Sequence, residues 1–233
     1  MLIIMKLKFL KDFQTISVSL VLAMICITEN LSAQTSRTDP IDWQTWYGTT
    51  IKKDLPHQWA AALSWQGRNY NNLKTHNGDY FSIEAEKKFL KKWGLEAEYR
   101  LAQVIKGTYH RYSLGGSYET KIKGLKASAR FLVQNQLQDF DDPTEPTSKS
   151  LYYRTRLGLK GKWNSRMEWF LQTEPIMKKG GRHFLDNIRN TAGTKLKISD
   201  QVGLELFYIF RPDFAKSYRR TFHVVGGELA IKL

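Results

Sequence analysis

Arginine and glutamate recur at alternate positions in several short segments of the sequence. The clearest examples are Glu96-x-Glu98-x-Arg100 and Arg154-x-Arg156. Alternate residues of an extended strand point to one face, so each segment would present its charges on one side. Guanidinium groups pair with carboxylates through two parallel hydrogen bonds, and an arginine-lined, water-filled pore favours anions. The pattern therefore predicts ladders of ion pairs or an anion-preferring surface.

We assign sixteen charged side chains to this polar face. The arginines are Arg68, Arg100, Arg111, Arg130, Arg154, Arg156, Arg189 and Arg211, and the glutamates are Glu84, Glu86, Glu96, Glu98, Glu119, Glu168, Glu174 and Glu205. Equal numbers of the two signs suffice for cross-strand ladders that fill an interior structurally. The same residues would line a small anion-preferring channel, for solutes such as acidic oligosaccharides, if water fills the interior. Both interpretations stay open at this point.

The sequence gives little support for catalysis. Its five histidines are scattered without the spacing of a metal site, and its one cysteine is Cys26. We therefore predict no metal, no cofactor and no enzyme. A lipid-modifying hydrolase is the alternative, because a Ser–His pair can assemble from different strands. His110 and Ser113 are the neighbouring candidates, but an offset of three residues points them to opposite faces of a regular strand.

The segments that carry these charges have the two-residue period of β-strands. We count eleven such segments of about ten residues, the length that crosses a membrane in a tilted strand. Short and longer connections alternate between them, as in a meander of hairpins with a turn end and a loop end. The sequence thus predicts an all-β, antiparallel, up-and-down transmembrane β-barrel. Since bacterial single-chain barrels normally have an even number of strands, we expect about 12, with 10 possible; an odd number would start the chain at the loop end.

The first 33 residues have the pattern of a secretory signal peptide. Lys6, Lys8 and Lys11 precede an apolar run over 16–27, and Leu31-Ser32-Ala33 fits a cleavage site. The run is too short to span a bilayer as a helix. Removing three lysines and two acidic residues changes the formal charge from +14 to about +13. We expect 34–233 to form one barrel domain in the outer membrane of a Gram-negative cell.

Aromatic residues favour a membrane barrel over a soluble one. Tryptophans near the strand ends are typical of the girdles that meet lipid head groups. The predicted interfacial residues are Trp43, Trp46, Trp59, Trp93 and Trp163. The alternative is a soluble periplasmic β-barrel that binds a small ligand, because such barrels also alternate.

The strongly basic composition does not indicate nucleic-acid binding. Basic residues recur at alternate strand positions and in turns such as Lys91-Lys92, not on one groove-reading helix. Basic residues at the ends of a barrel would contact anionic lipid head groups. The expected partners are therefore outer-membrane lipids and, during insertion, the barrel-assembly machinery. The sequence leaves the oligomeric state undetermined.

The order of these features resembles a known family. The leader is followed by the Trp43 and Trp46 strand, the strand ending in Arg68, the Glu96-x-Glu98-x-Arg100 and Arg154-x-Arg156 strands, and later strands with Glu174, Arg189 and Tyr208. This order is similar to an uncharacterised outer-membrane β-barrel family that is abundant in Bacteroidota and is classed as a domain of unknown function. The resemblance covers nearly all of 34–233. It implies the barrel fold and the location, and no activity.

Overall fold

The computed structural model describes residues 41–233, apart from 91, 106, 142–143, 182 and 215–219. The predicted signal peptide, 1–33, lies outside the described residues. The strands are β1 (Ile41–Leu55), β2 (Trp59–Tyr70), β3 (Thr75–Phe89), β4 (Trp93–Val104), β5 (Gly107–Ile122), β6 (Leu125–Phe140), β7 (Ser148–Lys162), β8 (Met167–Lys178), β9 (Leu185–Lys197), β10 (Val202–Asp213) and β11 (Arg220–Lys232). A short 3-10 helix, Pro56–Gln58, joins β1 to β2. In the described ranges no helix is long and apolar enough to cross a membrane.

The eleven strands form one closed barrel, which confirms the predicted fold class. Each strand pairs antiparallel with the one before it, and β1 and β11 close the barrel as a parallel pair. This pair runs from Ile41 opposite Thr221 to Lys52 opposite Lys232. The number of strands, eleven, lies between the values of 10 and 12 that the even-number rule favours. It equals the number of strand-like segments in the sequence. With an odd number of strands, β1 and β11 both start at the same end of the barrel, and they therefore pair in parallel.

The connections divide between the two ends of the barrel. The connections that follow β1, β3, β5, β7 and β9 lie at the turn end, and those that follow β2, β4, β6, β8 and β10 lie at the loop end. Lys123 and Gly124 both have positive φ, as a two-residue hairpin turn requires. Several strands are longer than the predicted length of about ten residues, and β5 and β6 have 16 residues each.

The distribution of apolar residues is the reverse of that in a soluble protein. Thirty large hydrophobic side chains are exposed, whereas eight hydrophobic residues of the described chain are buried. Leu63, Ile83 and Leu114 are each more than half exposed on the outer face, while Arg154 and Glu174 are 4% and 3% exposed inside. An exposed apolar surface of this extent marks contact with lipid or with another protein. The strands therefore point apolar side chains outward and polar side chains inward.

Four of the five predicted interfacial tryptophans lie on the outer face. Trp43, Trp59, Trp93 and Trp163 are 43–64% exposed. Trp46 is the exception: it is 5% exposed and lies inside, so its assignment to the interface was wrong. Its position three residues from Trp43 on the same strand explains the difference, because odd offsets reverse the face.

Candidate functional site

The inner face of the barrel, which we call the lumen, carries all eight predicted arginines. None of them is exposed, and Arg154 is buried. Their strands place them there through the two-residue period: inward-facing Arg100 lies opposite Arg111, and Arg130 lies opposite Arg156. The eight predicted glutamates share the same face of their strands.

One buried carboxylate, that of Glu174, organises the largest cluster of ion pairs. Arg154 Nη2 donates to both of its oxygens at 2.9 Å. Arg156 Nη2 lies 3.1 Å from Glu174 Oε1, and Arg130 Nη2 lies 3.6 Å from the same oxygen. The second amino group of Arg154 donates to Gln134 at 3.0 Å. Three guanidinium groups thus surround one carboxylate in an interior where unpaired charge is costly.

A second cluster of ion pairs forms on the next strands. Glu98 Oε1 lies 2.9 Å from Arg100 Nε and 3.1 Å from Arg111 Nη2. Arg130 extends the first cluster, because its Nη1 donates to Glu96 at 3.2 Å while its Nη2 faces Glu174. The two clusters together place Arg–Glu ion pairs on β4 to β8, and among the described residues no ion pair joins one cluster to the other.

Arg68 is held differently, between two aromatic rings. Its guanidinium carbon lies 3.9 Å from the ring centroid of Trp46 and 3.9 Å from that of Tyr80. Its Nε donates to Gln66 at 2.7 Å. Cation–π contacts of this kind strengthen when water is excluded. Trp46 also packs on buried Ile209 and Val224, so this part of the wall is apolar.

The lumen charges are ordered along the barrel axis. Where a strand carries more than one type of charged residue on its lumen face, arginine lies nearest the loop end. Glutamate comes next, and lysine lies nearest the turn end. Examples are Arg100 then Glu98 on β4, Arg111 then Glu119 then Lys121 on β5, Arg130 then Lys126 on β6, Arg154 then Lys160 on β7, Arg189 then Lys195 on β9, and Arg211 then Glu205 on β10. Lys178, at the loop-end edge of β8, departs from this order.

We group the charged residues of the lumen into three belts around the barrel, one for each residue type. The arginine belt is Arg68, Arg100, Arg111, Arg154, Arg189 and Arg211; the glutamate belt is Glu84, Glu86, Glu96, Glu205 and Glu228; the lysine belt is Lys52, Lys88, Lys126, Lys160, Lys195, Lys197 and Lys232. The belts overlap, because Glu98 and Glu174 lie among the arginines and Lys195 lies directly opposite Glu205.

Near the turn end, lysine replaces arginine as the partner of glutamate. Lys52 Nζ lies 3.3 Å from Glu86, and Lys195 pairs with Glu205. The predicted Arg–Glu ladder is thus limited to the loop-end half and the middle of the lumen. The lysine belt was missed in the sequence because lysines in the turns and on the lumen face were treated as one group. Applying the two-residue period to each lysine would have separated them.

A cavity of about 190 Å³ opens beside the glutamate belt. Small side chains on β2, Ala60 and Ala62, leave this space opposite Glu84 and Glu86. Arg130 and Lys52 also line it, so its wall carries both signs of charge.

The residues weighed for hydrolysis lie on different faces. Ser113 is 5% exposed and faces the lumen. His110 faces outward, where its Nδ1 lies 2.9 Å from the hydroxyl of Tyr99. Among the described residues, no group of three His, Cys, Asp or Glu side chains is arranged to hold a metal ion.

The comparisons with known proteins bear on the fold and the family. A model of a family described as "Protein of unknown function (DUF2490)" matches residues 43–221. A solved structure of the NanC porin is similar, with a TM-score of 0.50 and 13% sequence identity over 72% of this chain and 86% of the porin chain. At that identity the likeness shows the fold alone. No curated protein sequence matches the chain.

Proposed function

We propose that this chain, which belongs to the DUF2490 family of proteins of unknown function, spans the outer membrane as a β-barrel and passes small anions through its lumen. The apolar outer face with its tryptophans supports the membrane location, as does the porin-like fold. The short turns, with basic residues such as Lys92 and Lys123, would then contact anionic head groups on one side of the membrane.

The observation that carries the anion preference is the pair of basic belts. A solute that crosses the lumen passes arginines near the loop end and lysines near the turn end. Fixed charges of one sign in a low-dielectric wall concentrate ions of the other sign. Anions are therefore favoured near both ends of the lumen, although carboxylates also lie among the arginines, at Glu98 and Glu174, and at the loop end, at Asp42 and Asp213.

A structural barrel with a closed lumen is the second candidate, and the Glu174 cluster favours it. Three arginines from β6 and β7 converge on one carboxylate from β8. A rigid network of long side chains fills interior space and holds neighbouring strands together. In this case the charges would stabilise the barrel without a transport route.

Planar-bilayer recording separates the two candidates. The purified protein, folded in detergent, is added to a bilayer with a KCl gradient, and the reversal potential gives the ratio of chloride to potassium permeability. The anion channel requires discrete conductance steps and a ratio above one. A folded, heat-modifiable barrel without conductance would support the structural candidate, and a ratio below one would overturn the anion preference.

A further inference from the structure

Three pairs of arginines face each other across neighbouring strands of the lumen. Arg100 lies opposite Arg111, and Arg130 lies opposite Arg156. The third pair is Arg189 and Arg211: Phe210 pairs with Asn190 and Asp213 with Asn187, so the register between them sets these two arginines face to face. Like charges directly opposite each other destabilise a sheet unless a counter-charge lies between them.

A glutamate bridges each of the first two pairs. Glu98 lies 2.9 Å from Arg100 and 3.1 Å from Arg111. Glu174 lies 3.1 Å from Arg156 and 3.6 Å from Arg130. One carboxylate per arginine pair is therefore the arrangement that this barrel uses twice.

The third pair differs in this respect. Among the described residues, no carboxylate lies within ion-pairing distance of Arg189 or Arg211. Glu174 is the cross-strand neighbour of Arg189, but its oxygens face three other guanidinium groups. The Nε of Arg189 is buried and, within the described ranges, has no hydrogen-bond partner, as is also true of the Nε atoms of Arg111 and Arg130 in the bridged pairs, so the third pair differs only in the absence of an ion pair. Both arginines are half-buried, so part of each remains accessible from the lumen.

Aromatic rings and charges of both signs surround this pair: Asp42, Asp186 and Asp213 lie close enough to Arg211, and Glu174 close enough to Arg189, to attract them electrostatically. The Arg189 guanidinium carbon lies 5.7 Å from the Trp46 ring centroid, and that of Arg68 lies 3.9 Å from the same ring. Arg211 lies 4.1 Å from the ring centroid of Phe222. Trp46, Phe222 and the adjacent Val224 are all buried apolar residues. The pair therefore presents two guanidinium groups without a direct ion pair next to an apolar wall.

We propose that Arg189 and Arg211, assisted by Arg68, bind the carboxylate of a small solute with an aromatic or other apolar face. The carboxylate occupies the place that Glu98 and Glu174 occupy at the other two arginine pairs, and accepts hydrogen bonds from both guanidinium groups. The apolar part packs on the wall formed by Trp46 and Phe222. The proposal deepens the proposed channel function and rests on it for the route by which the solute reaches the site.

The first test is equilibrium binding of benzoate to the folded protein in detergent micelles, measured by titration calorimetry. Benzoate supplies the carboxylate and the ring, and benzamide is the uncharged control. We expect saturable binding of benzoate and none of benzamide. Arg189→Gln/Arg211→Gln should weaken benzoate binding at least tenfold. Lys53→Gln, which removes one positive charge from the outer face, should leave it unchanged.

The second test supplies the missing carboxylate from the protein itself. Glu98 lies two residues from Arg100 toward the turn end, and Thr191 has the same relation to Arg189. Thr191→Glu should therefore abolish benzoate binding and raise the melting temperature. Thr191→Gln has the same size without the charge, and should keep both benzoate binding and the melting temperature of the original protein.

The outcomes are distinguishable from those of the channel test, because binding in micelles needs no conductance. A barrel that binds benzoate but conducts no ions would refute the channel and keep the site. The site is refuted if benzoate does not bind the original protein, if the double variant binds it equally well, or if Thr191→Glu leaves both binding and melting unaltered.

Discussion

Arg154 on β7 donates one amino group to both carboxylate oxygens of Glu174 on β8, and both side chains are almost completely buried. The two residues are not directly opposite in the sheet, since Arg154 faces Ile176. The contact is diagonal, and it brings Arg156 and Arg130 to the same carboxylate. Glu174 is therefore the shared counter-charge of three arginines.

Glu174→Gln should destabilise the barrel strongly. It leaves three guanidinium groups without their shared counter-charge, and breaking a buried ion pair from one side costs about 3–5 kcal/mol. Urea unfolding in micelles measures the loss. Glu205→Gln is the matched control, because the half-buried pair of Glu205 with Lys195 contributes about 1 kcal/mol or less. Equal losses in the two variants would contradict the central role of Glu174.

Lys52 and Lys53 are adjacent on β1 but face opposite sides of the barrel. Lys52 belongs to the lysine belt and lies 3.3 Å from Glu86, whereas Lys53 faces outward. Lys52→Gln should lower the chloride-to-potassium permeability ratio by about two- to threefold, the effect of one partly screened charge. Lys53→Gln should leave the ratio unchanged. The reversal potential in a KCl gradient measures both, and an equal effect of the two changes would exclude selection inside the lumen.

Trp46 and Trp65 provide an optical test of which face meets lipid. Trp65 is exposed on the outer face, and Trp46 is 5% exposed inside. In vesicles of phospholipid with brominated acyl chains, contact with the chains quenches fluorescence. Trp65→Phe should remove part of the quenched emission, while Trp46→Phe should remove emission that resists quenching. The reverse assignment would favour a soluble barrel with a different orientation of its faces.

The parallel closure of β1 on β11 can be tested by cross-linking. Thr49 pairs with Leu229 across the seam. Thr49→Cys/Leu229→Cys should form an intramolecular disulfide under mild oxidation and change the mobility on non-reducing gels. In the control, Thr49→Cys/Val225→Cys, the cysteines are four residues out of register, about 13 Å apart, and too distant to bridge. A cross-link in the control and none in the first variant would show another closure.

The face of each strand residue could be predicted from the sequence, because the two-residue period is set by local backbone geometry. The period placed the eight arginines and Glu174 on one face. The prediction for Trp46 was wrong because it relied on the residue type. The offset of three residues from Trp43 would have placed Trp46 on the opposite face. The segment count of eleven was correct, but the rule that bacterial barrels have an even number of strands favoured twelve. The parallel pairing of β1 with β11 could not be predicted from local patterns, because it depends on contacts between strands at the two ends of the sequence.

The partners of the lumen charges could not be predicted in the same way. A pair such as Arg154 and Glu174 depends on register across neighbouring strands and on a diagonal reach of long side chains. The two-residue period predicts that both side chains point inward, but it does not predict which carboxylate pairs with each arginine. The unbridged pair of Arg189 and Arg211 is visible only when all three pairs are compared in the folded barrel.

The parallel seam also determines where the two ends of the barrel segment emerge. Ile41 begins β1 at the loop end, and Lys232 ends β11 at the turn end. In a membrane, a label joined ahead of Ile41 and a label joined after Leu233 would report from opposite compartments. A barrel with an even number of strands would hold both on one side. In the proposed membrane location, fusion partners joined to the two ends of the barrel segment would therefore lie on opposite sides of the membrane.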